Sequence, residues 1–571
     1  MRFVRQLALL FAPLALSACA ATAEPALQTA TTAPFAGVVS AADPRAAEAG
    51  AAMLRMGGTS TDAAIATMLA LTVVEPQSSG IGGGGFYVRG TPDGQVITLD
   101  GRETAPAAAT PEWFLTAEGA PRPFMEAVMS GLSVGVPGNI ALAAEAHGRY
   151  GALEWAALFQ PAIALARDGW EITPRFREFL VSARNRAAFT AEGRALFYDA
   201  AGEPLPVGAR VVMPELADTL TQLAAAGPRA FYEGPMADGM AAVMAKATPH
   251  DAAVTPADFA SYSAVWRESP CGTYRQYRIC GMGPPSSGAT TVFAVLKQLE
   301  RFDLAALGPD SPISWHLFAE SQRLAYADRE RYLADSDFVS VPMAGLMDGN
   351  YLAERGAMIS ATARMDSVAA GTPPGTRAIA ADGFGPEENG TSHFVAVDQW
   401  GTAVSYTSTI EGPFGSGLMY GGFYLNNELT DFSLIPARDG IAVVNRVEGG
   451  KRPRSSMAPT LVYGPDGTLV LAIGAAGGAT IPVQVAKALI GVLDWGMPVE
   501  QAIGLPGLYA PGSDIVVEED SPLLAFRAEL EALGHTIQTR RLPFKANAAQ
   551  FAGGTWQGAA DPRSEGAAVH P

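Results

Sequence analysis

The sequence predicts a large α+β protein, with helices prevailing early in the chain and strand pairs prevailing late. The chain has 571 residues, 48% of them apolar and 17% charged, which is enough apolar material for a sizeable core and excludes a disordered chain. Helical periodicity prevails between about residues 138 and 260, whereas alternating segments separated by turns prevail after residue 390. Helices followed by packed hairpins indicate an α+β or layered α/β architecture.

The predicted elements follow one another along the chain. Residues 46–56 are helix-forming and stop at a Gly-Gly pair, and residues 61–74 form a second helix with Ser60 or Thr61 available as N-cap. Residues 86–89 and 96–99 flank a Pro-Asp-Gly turn and predict a hairpin. Further strand pairs are predicted at 392–398 with 402–409 and at 460–463 with 469–474, followed by a helix over 483–493.

The first residues have the pattern of an export signal. Arg2 and Arg5 precede an apolar run over residues 7–16, which is too short to span a bilayer. The run ends in Leu-Ser-Ala-Cys, which resembles a bacterial lipoprotein box with Cys19 as the lipidated mature N-terminus; ordinary cleavage after Ala23 is the alternative. We therefore expect a signal peptide over 1–18, a tether over 19–36 and a periplasmic protein, lipid-anchored through Cys19 if the box operates.

Charge and cysteine content exclude several classes of protein. The 57 acidic and 39 basic residues give a net charge of −18 without basic runs, so nucleic acid is not an expected partner. Three cysteines exclude a disulfide scaffold and a Cys-rich zinc module, and the six histidines show no metal-ligand spacing. Cys271 and Cys280 either form a disulfide, if the stretch between them folds back, or remain free thiols.

Two catalytic motifs occur in the wrong structural context. Residues 80–85 satisfy G-x-G-x-x-G, but a helix precedes them and a strand follows, which is the reverse of a dinucleotide site. Residues 131–135 satisfy G-x-S-x-G, but a Pro-Gly pair at 137–138 interrupts the helix that a nucleophile elbow requires. Both motifs are discarded.

The segment NGTSHF, over residues 389–394, carries chemistry. It places a Gly-Thr junction where a loop-rich tract gives way to a strand. If the chain were cut between Gly390 and Thr391, Thr391 would own both a hydroxyl and a free α-amino group. An α-amine has a reference pKa of about 8, so it can accept the hydroxyl proton and one residue would supply nucleophile and base. Gly390 lets the backbone twist so that this hydroxyl can attack the preceding carbonyl, which makes the cut self-catalysed.

Further blocks of sequence accompany this segment. They are GGTSTDAA (57–64), EPQSSGIGGGGF (75–86), DGRETAP (100–106), PPSSG (284–288), LAYADR (324–329), LNNE (425–428) and GKRPRSSM (450–457). In this order they resemble the gamma-glutamyltransferase (gamma-glutamyltranspeptidase, glutathione hydrolase) family, which is similar to other N-terminal nucleophile hydrolases. The resemblance extends from about residue 37 to 560. It implies a four-layer αββα sandwich and self-cleavage at Gly390/Thr391, giving an interleaved large subunit (37–390) and small catalytic subunit (391–571) that pair as a heterodimer.

The resemblance also implies catalytic roles. Thr391 is the nucleophile, and Thr409 is the second threonine that orients it from the neighbouring strand. Gly477 and Gly478 match the pair whose backbone N–H groups form the oxyanion hole. Glycine at these positions lets the backbone approach the substrate closely.

The resemblance further implies a site that binds an amino-acid zwitterion. Arg102 matches the arginine that grips the substrate α-carboxylate, a task suited to a planar bidentate donor. Glu428 and Asp431 match the positions that hold the α-ammonium. Ser455 and Ser456 match the pair that hydrogen-bonds the carboxylate.

Two features depart from the family pattern. Glu411 stands where many members carry Asn at a substrate-binding position, and its carboxylate would either strengthen ammonium binding or repel the α-carboxylate. The stretch between Asp431 and Ser455 is shorter than in members with a lid and holds no Tyr, which predicts a more open site.

The resemblance therefore implies an exported, self-processing gamma-glutamyltransferase and glutathione hydrolase that needs no metal or organic cofactor. It would transfer the γ-glutamyl group of glutathione and related compounds to water or to amino acids and peptides through a Thr391 acyl-enzyme. Two alternatives stay open, namely a glutaryl or cephalosporin acylase on the same fold and an inactive exported binding lipoprotein.

Overall fold

A computed structural model describes residues 37–250, 252–377, 381–383 and 390–571. The expected signal peptide (1–18), Cys19 and the tether (19–36) lie outside the described residues, as does the loop-rich tract at 384–389. Among the described residues, no helix combines the length and apolar composition that crossing a membrane requires.

The described helices are α1 (Pro44–Arg55), α2 (Ser60–Val74), α3 (Phe124–Val128), α4 (Asn139–Tyr150), α5 (Trp155–Asp168), α6 (Pro174–Ser182), α7 (Arg184–Ala187), α8 (Ala191–Phe197), α9 (Pro214–Ala226), α10 (Arg229–Tyr232), α11 (Pro235–Lys246), α12 (Pro256–Ala260), α13 (Gly288–Leu299), α14 (Leu304–Leu307), α15 (Pro312–Tyr332), α16 (Met343–Leu346), α17 (Gly349–Ala357), α18 (Ile481–Leu493), α19 (Val499–Gly504) and α20 (Arg527–Ala532).

The described strands are β1 (Val38–Ala41), β2 (Gly84–Gly90), β3 (Val96–Gly101), β4 (Trp170–Glu171), β5 (Arg210–Val211), β6 (Val265–Arg267), β7 (Cys271–Tyr274), β8 (Tyr277–Gly281), β9 (Ser392–Val397), β10 (Ala403–Thr409), β11 (Met419–Tyr420), β12 (Phe423–Tyr424), β13 (Ala437–Arg438), β14 (Ile441–Ala442), β15 (Thr460–Tyr463), β16 (Leu469–Ala476), β17 (Leu508–Tyr509), β18 (Ile515–Glu518), β19 (Ile537–Arg540), β20 (Lys545–Ala552), β21 (Thr555–Ala560) and β22 (Ala567–Val569).

Two antiparallel sheets form the centre of the molecule. One has the strand order β22-β1-β9-β10-β2-β3-β6 and the other the order β21-β20-β16-β15-β8-β7. Their faces meet, since Asn547 of β20 donates to the Ser40 hydroxyl of β1 at 3.0 Å and Ser405 of β10 donates to the Ile473 carbonyl of β16 at 3.1 Å. Helices α1 and α2 cover the first sheet, and α13 and α18 cover the second. The predicted α+β class and four-layer αββα sandwich are confirmed.

Strands from both sides of residue 390 share each central sheet. In the first sheet, β1 lies between β22 and β9, and β10 pairs with β2. In the second sheet, β15 pairs with β8. The segments that precede and follow Thr391 are therefore interleaved by backbone hydrogen bonds.

The predicted hairpins are present as β2–β3, β9–β10 and β15–β16. One helix start differs from the prediction, because Thr59 and not Ser60 or Thr61 is the N-cap of α2. The Thr59 hydroxyl accepts the Asp62 N–H, and the Asp62 carboxylate accepts the Thr59 N–H at 2.8 Å. This reciprocal capping box moves the cap to Thr59.

Cys271 and Cys280 form a disulfide across the β7–β8 hairpin, with their Cα atoms 4.1 Å apart. The stretch between the two cysteines folds back, which was the condition for pairing them. Of the two alternatives left open by the sequence, the structure has the disulfide.

We predict that Val485→Ala, in α18, lowers the free energy of unfolding by about 1–3 kcal/mol, because it leaves a cavity in a fully buried helix face. Val181→Ala, in α6, removes the same two methyl groups from a side chain that is 56% exposed and should change that free energy by less than about 0.5 kcal/mol. Denaturant unfolding measures both. Equal losses for the two variants would contradict the placement of α18 against the second sheet.

Candidate active site

Thr391 directly precedes the central strand β9 and is only 3% exposed. Its hydroxyl donates to Oγ1 of Thr409, the last residue of the neighbouring β10, over 3.0 Å. Oγ1 of Thr409 also accepts the backbone N–H of Glu411 at 2.7 Å. Thr409 is thus held in place by the turn that follows its strand, and it orients the Thr391 hydroxyl.

The backbone at the Gly390/Thr391 junction is strained. Thr391 has a φ of +82°, which is a rare conformation for a β-branched residue and costs about 1–3 kcal/mol. Its N–H donates to the Ser78 carbonyl at 2.8 Å, which holds it in this conformation. Glu411 also has a positive φ, of +73°. Thr391 is one residue of the junction that the sequence predicts to be cut, and Glu411 packs against the other, Gly390.

Only glycine fits at position 390, because there is no space for a side chain at this junction. A Cβ at this position would lie 1.8 Å from the carbonyl oxygen of Glu411, a separation that no side chain can occupy. The Gly390 backbone therefore packs directly against the turn after β10.

Arg102 follows β3 and is almost fully buried, with 1% exposure. Its two terminal nitrogens donate to the carboxylates of Glu428 and Asp431, which lie on one short 3-10 turn (Glu428–Asp431). Nε also donates to the Pro453 carbonyl at 3.2 Å. Although burial alone would lower the pKa of Arg102, the neighbouring carboxylates raise it, so the guanidinium stays charged.

A second buried carboxyl lies behind this ion pair. Burial raises the pKa of Glu428 well above its ordinary value, and burial likewise raises the pKa of Glu103, which is fully buried beside it. Two carboxyls facing each other next to a single guanidinium cannot both ionise readily. The charge of Glu103 adds to burial in raising the pKa of Glu428, whereas Arg102 acts against the shift of both carboxyls.

Glu411 completes an acidic cluster. Carboxylate oxygens of Glu411, Glu428 and Asp431 all lie within 4.8 Å of one another, beside the single guanidinium of Arg102. The carboxylates outnumber the cation, so this end of the site attracts a positively charged group. The structure thus places Glu411 beside Glu428 and Asp431, the two residues that the family resemblance predicts to hold an α-ammonium.

Ser455 and Ser456 lie on a segment fixed by the PPSSG block. Ser286 and Ser287 donate to the backbone carbonyls of Met457 and Ser455 at 2.6 and 2.7 Å. The Ser456 hydroxyl accepts a hydrogen bond from Arg329 at 2.5 Å, which leaves its own proton available for an acceptor. This hydroxyl can therefore donate to a substrate carboxylate.

The Gly477-Gly478 pair follows β16 and turns the chain with positive φ values of +119° and +59°. A Cβ at Gly477 would lie 2.3 Å from the Pro543 carbonyl, so this turn also depends on glycine. Its proximity to Thr391 is shown by the cavity that Gly478 and Thr391 line together.

One cavity of about 190 Å³ collects almost the whole predicted site. Its lining includes Arg102, Thr391, Thr409, Glu411, Glu428, Asp431, Ser455, Ser456 and Gly478. Gly477 does not line the cavity itself, but it directly precedes Gly478, which does. Thr391 and a group of charges suited to a zwitterion thus line the same cavity.

Several residues of the site were not predicted from the sequence. Tyr326 and Arg329 line the cavity and belong to the LAYADR block, while Arg454 belongs to GKRPRSSM, so their blocks were visible but their roles were not. Arg329 and Arg454 share the carboxylate of Glu330. Tyr509 lines the cavity from β17 without any sequence signal.

The discarded G-x-S-x-G motif is structural. Ser133 is fully buried, and its hydroxyl donates to the carbonyls of Val128 and Ser130 at 2.7 and 3.0 Å. It closes a turn and does not line the cavity around Thr391.

A nucleophilic side chain (Thr, Ser or Cys) at the head of a central strand of an αββα sandwich is what N-terminal nucleophile hydrolases have in common, and the fold places this chain in that class. Within the class, the chain belongs to the gamma-glutamyltranspeptidase family, whose model matches residues 46–570. The "Glutathione hydrolase proenzyme" of Bacillus subtilis (strain 168) is 35% identical over 547 residues, or 93% of this chain and 91% of that protein. The predicted family is confirmed.

Solved structures agree with this assignment. The cephalosporin acylase from Bacillus halodurans superimposes with a TM-score of 0.81 at 27% identity, over 94% of this chain and 96% of that one. The Helicobacter pylori gamma-glutamyltranspeptidase matches with a TM-score of 0.54 at 37% identity, over 57% of this chain and 91% of that one.

We predict that Gly390→Ala slows conversion of the full chain into two pieces by at least about tenfold, because the added methyl group forces the junction away from the Glu411 turn. The measurement is the fraction of cut chain over time on a denaturing gel. Gly148→Ala, in α4, is the control, because its added Cβ meets nothing within 4 Å. Cutting of Gly390→Ala at the wild-type rate would refute the role of this contact.

Proposed function

We propose that this protein is a self-processing gamma-glutamyltransferase and glutathione hydrolase. The observation that carries the proposal is the shared cavity, in which the Thr391 hydroxyl faces the same space as Arg102 and the acidic cluster. The family assignment and the name of the Bacillus subtilis relative support the same activity.

Maturation begins at the strained junction. The Thr391 hydroxyl oxygen attacks the Gly390 carbonyl carbon, the peptide C–N bond breaks, and the proton moves to the departing α-nitrogen. Water then hydrolyses the resulting ester and releases the carboxylate of Gly390. Cleavage relieves the positive φ of Thr391 and frees its α-amine, which is the base for the next reaction.

The donor binds by charge complementarity. Its α-carboxylate takes bonds from Arg102 and the Ser456 hydroxyl, and its α-ammonium lies against the neighbouring carboxylates of Asp431 and Glu411. The γ-carbonyl then reaches Thr391, because the two ends of a glutamyl group are separated by two methylene groups.

Acyl transfer follows from this arrangement. The free α-amine takes the Thr391 hydroxyl proton as Oγ1 attacks the γ-carbonyl, and backbone N–H groups at Gly477-Gly478 stabilise the oxyanion. The amine returns the proton to the leaving nitrogen as the C–N bond breaks. Water or the amine of an amino acid or peptide then attacks the acyl-enzyme and restores Thr391.

A glutaryl or cephalosporin acylase is the second candidate, favoured by the superposition on the Bacillus halodurans cephalosporin acylase. A glutaryl group lacks the α-ammonium and would present a methylene group to the acidic cluster. Burying carboxylates against a methylene group is unfavourable, so the cluster favours a γ-glutamyl donor.

We also propose export to the periplasm through the signal peptide over residues 1–18, with Cys19 as a lipid anchor. The proposal is supported by the basic start, the short apolar run and the Leu-Ser-Ala-Cys sequence before residue 20. Mass analysis of the mature N-terminal peptide distinguishes a lipidated Cys19 from cleavage after Ala23.

We predict that the wild-type protein shows Thr391 as a new N-terminus and that Thr391→Ala stays a single, inactive chain, because alanine lacks the attacking hydroxyl. N-terminal sequencing and intact-mass analysis measure both. Thr391→Ser is the matched control, since it keeps a hydroxyl and should still cut. A split Thr391→Ala chain would remove Thr391 as the nucleophile, and an uncut wild-type chain without activity would favour a binding lipoprotein.

We predict that Asp431→Asn and Glu411→Gln each lower kcat/KM for a γ-glutamyl anilide by about 10–100-fold, because each removes a charged partner of the α-ammonium. The kcat/KM for a glutaryl anilide should stay constant or rise. The ratio of kcat/KM for the γ-glutamyl anilide to that for the glutaryl anilide therefore falls. Asp466→Asn, in the exposed β15–β16 turn, is the control. A wild-type enzyme that prefers the glutaryl substrate would establish the acylase instead.

A further inference from the structure

A buried lysine contacts the backbone of the nucleophile. Lys545 begins β20 and is 2% exposed, and its backbone pairs with Ala476, directly before the Gly477-Gly478 turn. Its Nζ donates to the Thr391 carbonyl at 3.3 Å and to the Ser392 hydroxyl at 3.4 Å. The mechanism derived above makes no use of this group.

Lys545 forms an ion pair with Glu75, the C-cap residue that directly follows α2. Nζ lies 2.6 Å from Oε2 of Glu75, which also accepts the Ser392 hydroxyl at 2.5 Å. Burial would raise the pKa of Glu75, but Lys545 and the more distant Arg175 outweigh it and bring this pKa below its ordinary value. Burial lowers the pKa of Lys545, and Glu75 counteracts that shift by favouring the ammonium. The lysine end of the pair is the one that contacts Thr391.

Few other charges act on this position. The charged groups that face Thr391 or the pair are Asp43 before α1, Glu75 after α2, Arg175 in α6, Glu411 after β10 and Lys545 in β20. The remaining charged side chains of the cavity are paired with one another, Arg102 with Glu428 and Asp431, and Arg329 and Arg454 with Glu330.

We propose that Lys545 is a positioning residue that keeps the α-amine of cleaved Thr391 neutral and ready to accept the hydroxyl proton. The inference rests on the proposed function, in which that amine is the base. Lys545 acts through Thr391 and does not touch the substrate.

The physical reason is the short distance between the two nitrogens. The α-nitrogen and the carbonyl oxygen of one residue are about 3 Å apart, which puts the Thr391 α-nitrogen within about 7 Å of Nζ. A cation at this distance in a buried site disfavours a second positive charge. The α-amine therefore loses its proton at a lower pH than it would without Lys545, and more of the enzyme carries a competent base at neutral pH.

A purely structural role for Lys545 makes a different prediction. If Lys545 only filled space and formed hydrogen bonds in the interior, replacing it would change stability or kcat. The pH at which the Thr391 α-amine titrates would then stay constant. Lys487 provides a matched case, because it is also fully buried and donates to the Ile503 carbonyl at 3.1 Å and to the Leu505 carbonyl.

The test is the pH dependence of kcat/KM for a γ-glutamyl anilide, whose acidic limb reports the base of the free enzyme. Removing the cation raises the pKa of the amine, so the acidic limb moves to higher pH. We expect an upward shift of about one pH unit or more for Lys545→Met, in which Glu75 remains as an unbalanced anion. The double variant Lys545→Met/Glu75→Gln should shift upward by less, and Lys545→Arg should keep the wild-type limb.

The variants separate the possible outcomes. Lys487→Met should leave the acidic limb unchanged even if it lowers stability. If Lys545→Met fails to mature, the double variant carries the test, because it leaves no unpaired buried charge. Acidic limbs at the wild-type position in active Lys545→Met or Lys545→Met/Glu75→Gln enzyme overturn the inference, whereas a wild-type enzyme without γ-glutamyl activity overturns the proposed function instead.

Discussion

The geometry of the site depends on how tightly the chain around residue 390 is held between two turns. The Ser78 carbonyl holds the N–H of Thr391 from one side, and the Glu411 carbonyl leaves no room for a side chain at Gly390 from the other. Because of these two contacts, Thr391 adopts a positive φ and its hydroxyl meets Thr409. The backbone thus fixes the position of Oγ1 of Thr391, and the other groups of the site are arranged around this oxygen.

Charge is distributed within the cavity in a way that composition does not reveal. The net charge of −18 excluded nucleic acid but carried no information about a small substrate. The proposed recognition of an α-ammonium uses a local imbalance, in which Arg102 lies among the carboxylates of Glu411, Glu428 and Asp431. The raised pKa values of Glu103 and Glu428 reflect the cost of burying these acids together.

Much of the fold followed from local pattern, because the helices and hairpins have clear periods and turn residues. The exceptions have physical causes. The cap of α2 moved to Thr59 because a reciprocal bond with Asp62 outweighs the choice of residue type, and that bond is visible only in three dimensions. The position of Lys545 could not be predicted, because a single lysine in a strand carries no recognisable pattern. Its role depends on Glu75, which is 470 residues away in sequence and contacts it only in the folded chain. The site residues were located through blocks of family resemblance and not through spacing.

The interleaving of strands has a consequence for how such a protein must be made. Because β1 lies between β22 and β9, neither piece of a chain cut at residue 390 could complete its sheet alone. If the chain is cut there as proposed, folding has to come before cutting, and each small piece would already be paired with the large piece from its own chain. Because both pieces would come from one chain, they would be produced in equal amounts. Neither balanced expression of two genes nor association of two separately diffusing halves would be needed.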